Sequence, residues 1–273
     1  MTDATCEAER SAGRTGARPA ESLLWQSGVA ILVLVPLTLA ALAGEERLLN
    51  GINLWMKPLK FQLSVALHLG TLALLLRLVA VERQDRGWVR AAVRACVVSA
   101  IFEVVYITLQ AGRGRHSHFN DSTMLEQVLY GVMGAGAVTL VVTAALIGVL
   151  IWRCPRVGLG PGLRWGASWG LILGSVATFV VAGYMSNAGG HWVGGAPSDT
   201  AGLPIFGWAR DGGDLRVPHF FATHLMQVLP LVGLAADRWS SRPVTTVCLT
   251  AAAGVTITVA TFFQALAGQP FLG

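Results

Sequence analysis

Charge is what this sequence has least of. Asp, Glu, Lys and Arg make up only 13% of its 273 residues, against about a quarter in soluble domains. That excludes an ordinary water-soluble chain. Cysteine is also sparse: the four at Cys6, Cys96, Cys154 and Cys248 show no metal-ligand spacing and no c-type haem attachment motif. They read as scattered small apolar residues and reduced thiols. No internal repeat of the kind common in transporters is visible. Within the long apolar runs acid is almost absent, and Glu103 is the one carboxylate set deep in a run.

What is present is apolar sequence, 53% of the chain. About 20 such residues in a row cross a hydrocarbon core, and seven runs qualify, over 22–44, 58–81, 91–111, 128–152, 163–185, 217–236 and 243–267. These predict an all-α polytopic membrane bundle of about seven helices, and runs this long exclude a β-barrel. Residues 1–21 are polar and lack apolar periodicity, which predicts a flexible cytoplasmic tail. The first run is too long for a signal peptide and should remain as the first span. Residues 22–273 then form one transmembrane domain with a long outer loop at 186–216.

The formal charge of +5 does not imply nucleic acid, because the basic residues lie between the spans. With the N-terminus inside, thirteen of the 20 Lys and Arg face the cytoplasm, leaving Arg47, Lys57, Lys60, Arg113, Arg115, Arg210 and Arg216 outside. The positive-inside bias therefore favours an N-in, C-out protein of the plasma (cell inner) membrane.

Polar residues inside spans require a reason. Lys57, Lys60, Ser64 and His68 are spaced by 3, 4 and 4 and line one helical face; the two lysines could snorkel to the interface, which does not account for His68. Glu103 shares its face with Ser99, Tyr106 and Gln110. An unpaired carboxylate at that depth costs several kcal/mol or takes up a proton, so Glu103 is a candidate catalytic or proton-carrying group. Gln110 is followed by Arg113, Arg115, His116 and His118, and the long loop brings His191, Trp192, Phe206 and Trp208. Those aromatics predict a cap folded on the outer surface. The sixth run opens at Asp214-Leu215-Arg216-Val217-Pro218-His219 and continues through His224 and Gln227. His219 and His224 lie about 140° apart around a helix, too far for one ion to take both without distortion. All six histidines, at 68, 116, 118, 191, 219 and 224, fall on the outer side, as do Glu103, Gln110, Arg113 and Gln227. An outward-facing polar site is the common explanation.

Two resemblances bear on these residues. Lys57-Pro58-Leu59-Lys60-Phe61, the stretch from Arg113 to Asn120, and Asp214-Leu215-Arg216 through His219, His224 and Gln227 resemble a family of functionally uncharacterised bacterial multi-pass membrane proteins, which implies the same choice of residues and no activity. Ser64-Val65-Ala66-Leu67-His68 is similar to the Ser-x-x-x-His of seven-helix membrane zinc hydrolases of the ceramidase and progestin-receptor type. There Glu103 would stand where that family has Asp, but the last helix lacks the His-x-x-x-His of that family.

Four functions follow, in order. The first is a metal or haem protein in a redox role, because neutral imidazoles suit iron, copper or zinc and paired histidines on different helices can hold haem. Its ligands would be His68 with His224, or His118 with His219, with His191 available to a metal. Lys57, Lys60, Gln110, Arg113, Arg216 and Gln227 would contact the cofactor, the cations pairing with haem propionates. The second is a transporter or receptor for a small anionic or protonatable solute entering at the outer face. A zinc hydrolase and a structural or assembly protein come last. The bilayer is the one certain partner, and no nucleic acid is expected.

Overall fold

The computed structural model describes residues 19–273. It contains α1 (Pro19–Val33), α2 (Val35–Gly44), β1 (Leu48–Leu49), β2 (Ile52–Asn53), α3 (Met56–Leu76), α4 (Val81–Gln84), α5 (Gly87–Gly112), α6 (Met124–Arg153), α7 (Pro161–Asn187), β3 (Trp192–Val193), β4 (Gly213–Asp214), α8 (Arg216–Trp239) and α9 (Pro243–Leu266). Counting α1 and α2 together, seven helices are long and apolar enough to cross a membrane. The protein is a multi-pass membrane protein built as a helical bundle.

The spans start and stop where backbone chemistry dictates. Pro161 and Pro243 stand in the first turns of α7 and α9, where a missing donor costs nothing. Thr123 caps α6 by accepting from the Glu126 amide at 3.2 Å, the usual N-cap contact. The first span breaks at Leu34, immediately before Pro36 opens α2, because a proline ring cannot continue the preceding turns. The second span ends at Leu76 rather than near 81. Residues 77–80 turn instead, and Val79 bridges to Pro155.

Residues 1–18, most of the expected tail, lie outside the described residues. Positions 19–21 are not tail: they form the first turn of α1, where buried Glu21 pairs with Arg77. The thiols also differ from expectation. Cys96 and Cys248 are free, but Cys154 is disulfide-bonded, a pairing that spacing along the chain does not reveal.

Packing is tightest between α7 and α8. Gly162, Gly166, Gly170 and Gly174 recur every four residues and meet α8 along its length. A Cβ at Gly170 would lie 2.8 Å from the Leu225 carbonyl, and one at Gly166 would run into the Leu229 carbonyl. Small residues at this spacing let two membrane helices touch backbone to backbone. In the largest apolar core Leu24, Leu69, Leu72, Leu76, Cys96, Ala100 and Ile147 join α1, α3, α5 and α6, and Ala167, Leu171 and Met226 carry it on to α7 and α8.

Candidate functional site

The helices α3 and α8 run parallel, both starting at the pole that carries the histidines. They make almost no close backbone approach to each other, yet their side chains meet. Gln227 donates from Nε2 to Thr71 Oγ1 at 3.2 Å. One turn nearer the histidine pole, His68 and His224 occupy the equivalent positions, each three residues earlier. Another two turns outward come Lys60 and Lys57. A seam of polar residues thus follows the α3–α8 boundary for about 21 Å, at 1.5 Å per residue from Lys57 to Thr71.

The loop from 188 to 215 closes the histidine-pole end of this seam. It is pinned, not loose. Trp192 pairs with Asp214 between β3 and β4, and the Asp199 amide donates to the Asn50 carbonyl at 2.9 Å. Lys60 Nζ donates to the Phe206 carbonyl at 2.9 Å. Phe206 stacks on Trp208 with ring centroids 4.4 Å apart, and both rings meet Phe220 of α8.

Arg216 is the centre of that closure. Its guanidinium donates to Asp214 at 2.6 Å, to Asp199 at 2.7 Å and to the Gly207 carbonyl at 2.7 Å. Asp214 also takes the Arg216 amide at 2.9 Å, so one carboxylate both pairs the charge and satisfies a helix-start donor. Asp199 sits below its ordinary carboxyl range. Burial alone would raise it, but the nearby His191 and Arg216 outweigh burial.

A second carboxylate network lies beside the seam, around Glu126, which stands two residues ahead of the fourth apolar run. Glu126, buried in the first turn of α6, accepts from Tyr106 Oη at 2.8 Å, Gln110 Nε2 at 2.6 Å and Arg115 Nη1 at 3.3 Å. Arg113 stands 3.6 Å away and bonds Gln110 Oε1 at 2.9 Å. Tyr106 and Gln110 therefore serve Glu126 rather than Glu103. Glu103 is buried and turns toward α6, where its Oε1 would be 3.6 Å from a Cβ at Gly136. It makes no hydrogen bond or ion pair with the described residues, though Lys57 lies within electrostatic reach.

Lys57 also lacks an ion-pair partner among the described residues. Half-buried, it sits 5.9 Å from the Phe61 ring centroid and has no carboxylate within bonding distance. His118 faces it. The His118 ring packs against Phe61 at 5.3 Å and Tyr130 at 6.1 Å and is held well below the ordinary histidine range by burial, then by Lys57, His219 and His191. His191 is likewise lowered, first by burial, with Asp199 4.0 Å away, beyond direct hydrogen bonding. His116 is exposed and stands apart, lowered by partial burial and by Lys57.

Several buried polar atoms along the seam and under its cap have no partner: His68 Nε2, Gln227 Oε1, His219 Nδ1, His191 Nε2 and the indole nitrogen of Trp192. His224 Nδ1 lies 2.8 Å from the Phe220 carbonyl, so that ring is fixed by the backbone of its own helix.

No protein-family model, curated protein or solved structure matches this chain.

Of the residues expected at a site, the structure therefore gathers Lys57, His118, His191 and His219 beneath the cap, and His68, His224 and Gln227 deeper in the seam. Gln110, Arg113, Lys60 and Arg216 are engaged in holding the loops. Among the described residues, no group of three or more His, Cys, Asp or Glu is placed to hold a metal ion. Reading the sequence missed Glu126, Asp199 and Asp214 as anchors. Thr123-x-x-Glu126 was the available signal for the first, being a helix-start pattern.

Proposed function

We propose that the protein binds a small anionic or protonatable solute in the α3–α8 seam, entering from the histidine pole, as a transporter or receptor. One observation carries this reading: among the described residues Lys57 has no carboxylate partner, and the buried polar atoms of His68, His219 and Gln227 in the seam and of His191 and Trp192 in its cap lack hydrogen bonds. Each such atom costs about 1–3 kcal/mol, so a ligand that satisfies them gains that much. Lys57 would attract the solute, Glu103 would carry its proton or counter-charge, and Asp214, Arg216 and Glu126 would hold the entrance.

The histidine pole is placed outside and the arginine-rich pole in the cytoplasm of the cell's inner membrane, following the basic bias. Labelling of an introduced cysteine at Ile205 with a membrane-impermeant reagent, added to intact cells, tests this orientation.

A second reading has its own support. His224 has Nδ1 tied to the Phe220 carbonyl, the arrangement that fixes the tautomer of a metal-bound imidazole, and the buried Nε2 of His68 has no partner. Paired across the seam they would serve haem or a transition metal. Membrane zinc hydrolysis has no set of three ligands among the described residues to rest on.

The deciding experiment is thermal unfolding of the detergent-purified protein against a panel of small carboxylates, inorganic anions and amines, with an optical spectrum of the same sample. The solute reading expects at least one panel member to stabilise the protein, by about 2.7 kcal/mol at one hundred times its Kd, and the shift to vanish in Lys57→Gln. A Soret band lost in His224→Ala would replace it with the haem reading. No stabilising compound and no chromophore would leave the seam without a ligand and refute both.

A further inference from the structure

At the opposite pole, Arg164 stands in the first turns of α7 beside three tryptophans. Trp152 ends α6, and Trp165 and Trp169 lie one turn apart on α7. Their ring centroids are 5.0 Å and 5.8 Å from Trp152. The guanidinium lies over the Trp152 ring, 5.2 Å from its centroid, and Nη2 donates to the Trp152 carbonyl at 2.6 Å. It is thus fixed against the carbonyl end of α6, where a cation is favoured. No carboxylate among the described residues pairs with it. The nearest acidic candidate on α8, Asp237, is committed elsewhere, accepting the Gly162 amide at 2.6 Å and the Leu163 amide at 2.8 Å. Arg164 Nε and the Trp169 indole nitrogen also lack partners.

We infer that this corner of α6 and α7 is a binding site for a phosphate-bearing anion, of which the headgroup of an anionic phospholipid is the natural source. Tryptophans concentrate at the membrane–water interface. A planar guanidinium pre-positioned there offers a fork that matches phosphate oxygens. Its charge has no counter-ion among the described residues, and the pole is rich in arginine, with Arg77, Arg83, Arg90, Arg94, Arg153 and Arg156 on neighbouring helix ends. The site is independent of the α3–α8 seam.

The test is retention of phosphatidylglycerol against phosphatidylcholine by the full chain in mild detergent, read by native mass spectrometry. Arg164→Gln should lower the preference for phosphatidylglycerol roughly fivefold, the factor one basic residue supplies at a membrane surface. Arg90→Gln, an exposed arginine at the same pole, should leave it unchanged. With that pattern, displacement by excess inorganic phosphate would make the free anion the ligand, and persistence of the lipid would make it the headgroup. Parent-like retention in Arg164→Gln, or equal losses in both variants, overturns the site. Should Arg164→Gln fail to fold, Arg164→Lys keeps the charge without the fork. It should still lose part of the preference, and parent-like retention there overturns the proposal equally.

Discussion

Helix α8 shows two faces that solve opposite problems. Toward α7 it meets a row of glycines so closely that Gly170 and Gly174 leave no room for a Cβ, and the contact is backbone against backbone. Toward α3 it presents His224 and Gln227, keeps its backbone apart, and leaves ring and amide atoms unsatisfied. The first face is built for adhesion. The second gives up adhesion to keep polar groups inside the bundle, and membrane interiors tolerate such groups only at a cost. The contrast places close packing on one side of α8 and, in the reading proposed above, the ligand site on the other.

The sharpest way to break the contrast is to fill the glycine face. Gly166→Val should yield no folded protein, because its Cβ would meet the Leu229 carbonyl and overpacking of a rigid contact costs about 1–3 kcal/mol or more even where some relaxation is possible. Recovery and monodispersity in detergent measure this. Next in size is the lock at the seam's mouth. Arg216→Met strands Asp214 and Asp199, buried carboxylates that it bonds at 2.6 and 2.7 Å. Breaking a buried pair costs about 3–5 kcal/mol, and unfolding in denaturant should show it.

Acid should act more gently and through the loops. His118 and His191 lie below the ordinary value of 6.5 in the folded protein. Below that value the unfolded chain takes up protons that the folded chain refuses, so stability falls as pH drops. Asp199, also lowered, adds a loss in the same direction at still lower pH. Apparent Tm should therefore decline from pH 7 to pH 5, and His118→Gln should flatten the slope. A Tm constant over that range would contradict the placement of His118.

Much of this architecture can be read along the chain. The seven apolar runs appear where the helices are, with ends shifted by a few residues. Lys57, Lys60 and His68 announce a polar face on α3 by spacing alone, and His224 with Gln227 does the same for α8. What spacing cannot state is which faces meet. Tyr106 and Gln110 share a helical face with Glu103, yet they bond Glu126, because the chain from α5 returns through Arg115 to place the start of α6 above them. Asp199 and Arg216 are seventeen residues apart in a loop whose path no periodicity encodes. The Cys154 disulfide was hidden for the same reason.

The central claim is that the α3–α8 seam is kept polar for a ligand rather than for stability. Unfolding of His68→Leu and Gln227→Leu tests it most directly. Each removes a buried atom without a partner and, for Gln227, one hydrogen bond worth about 1 kcal/mol. Both variants should match or exceed the parent in stability, within about 1 kcal/mol, while losing any ligand-induced shift. A loss comparable to that of Arg216→Met in either would contradict the account and make the seam part of the scaffold.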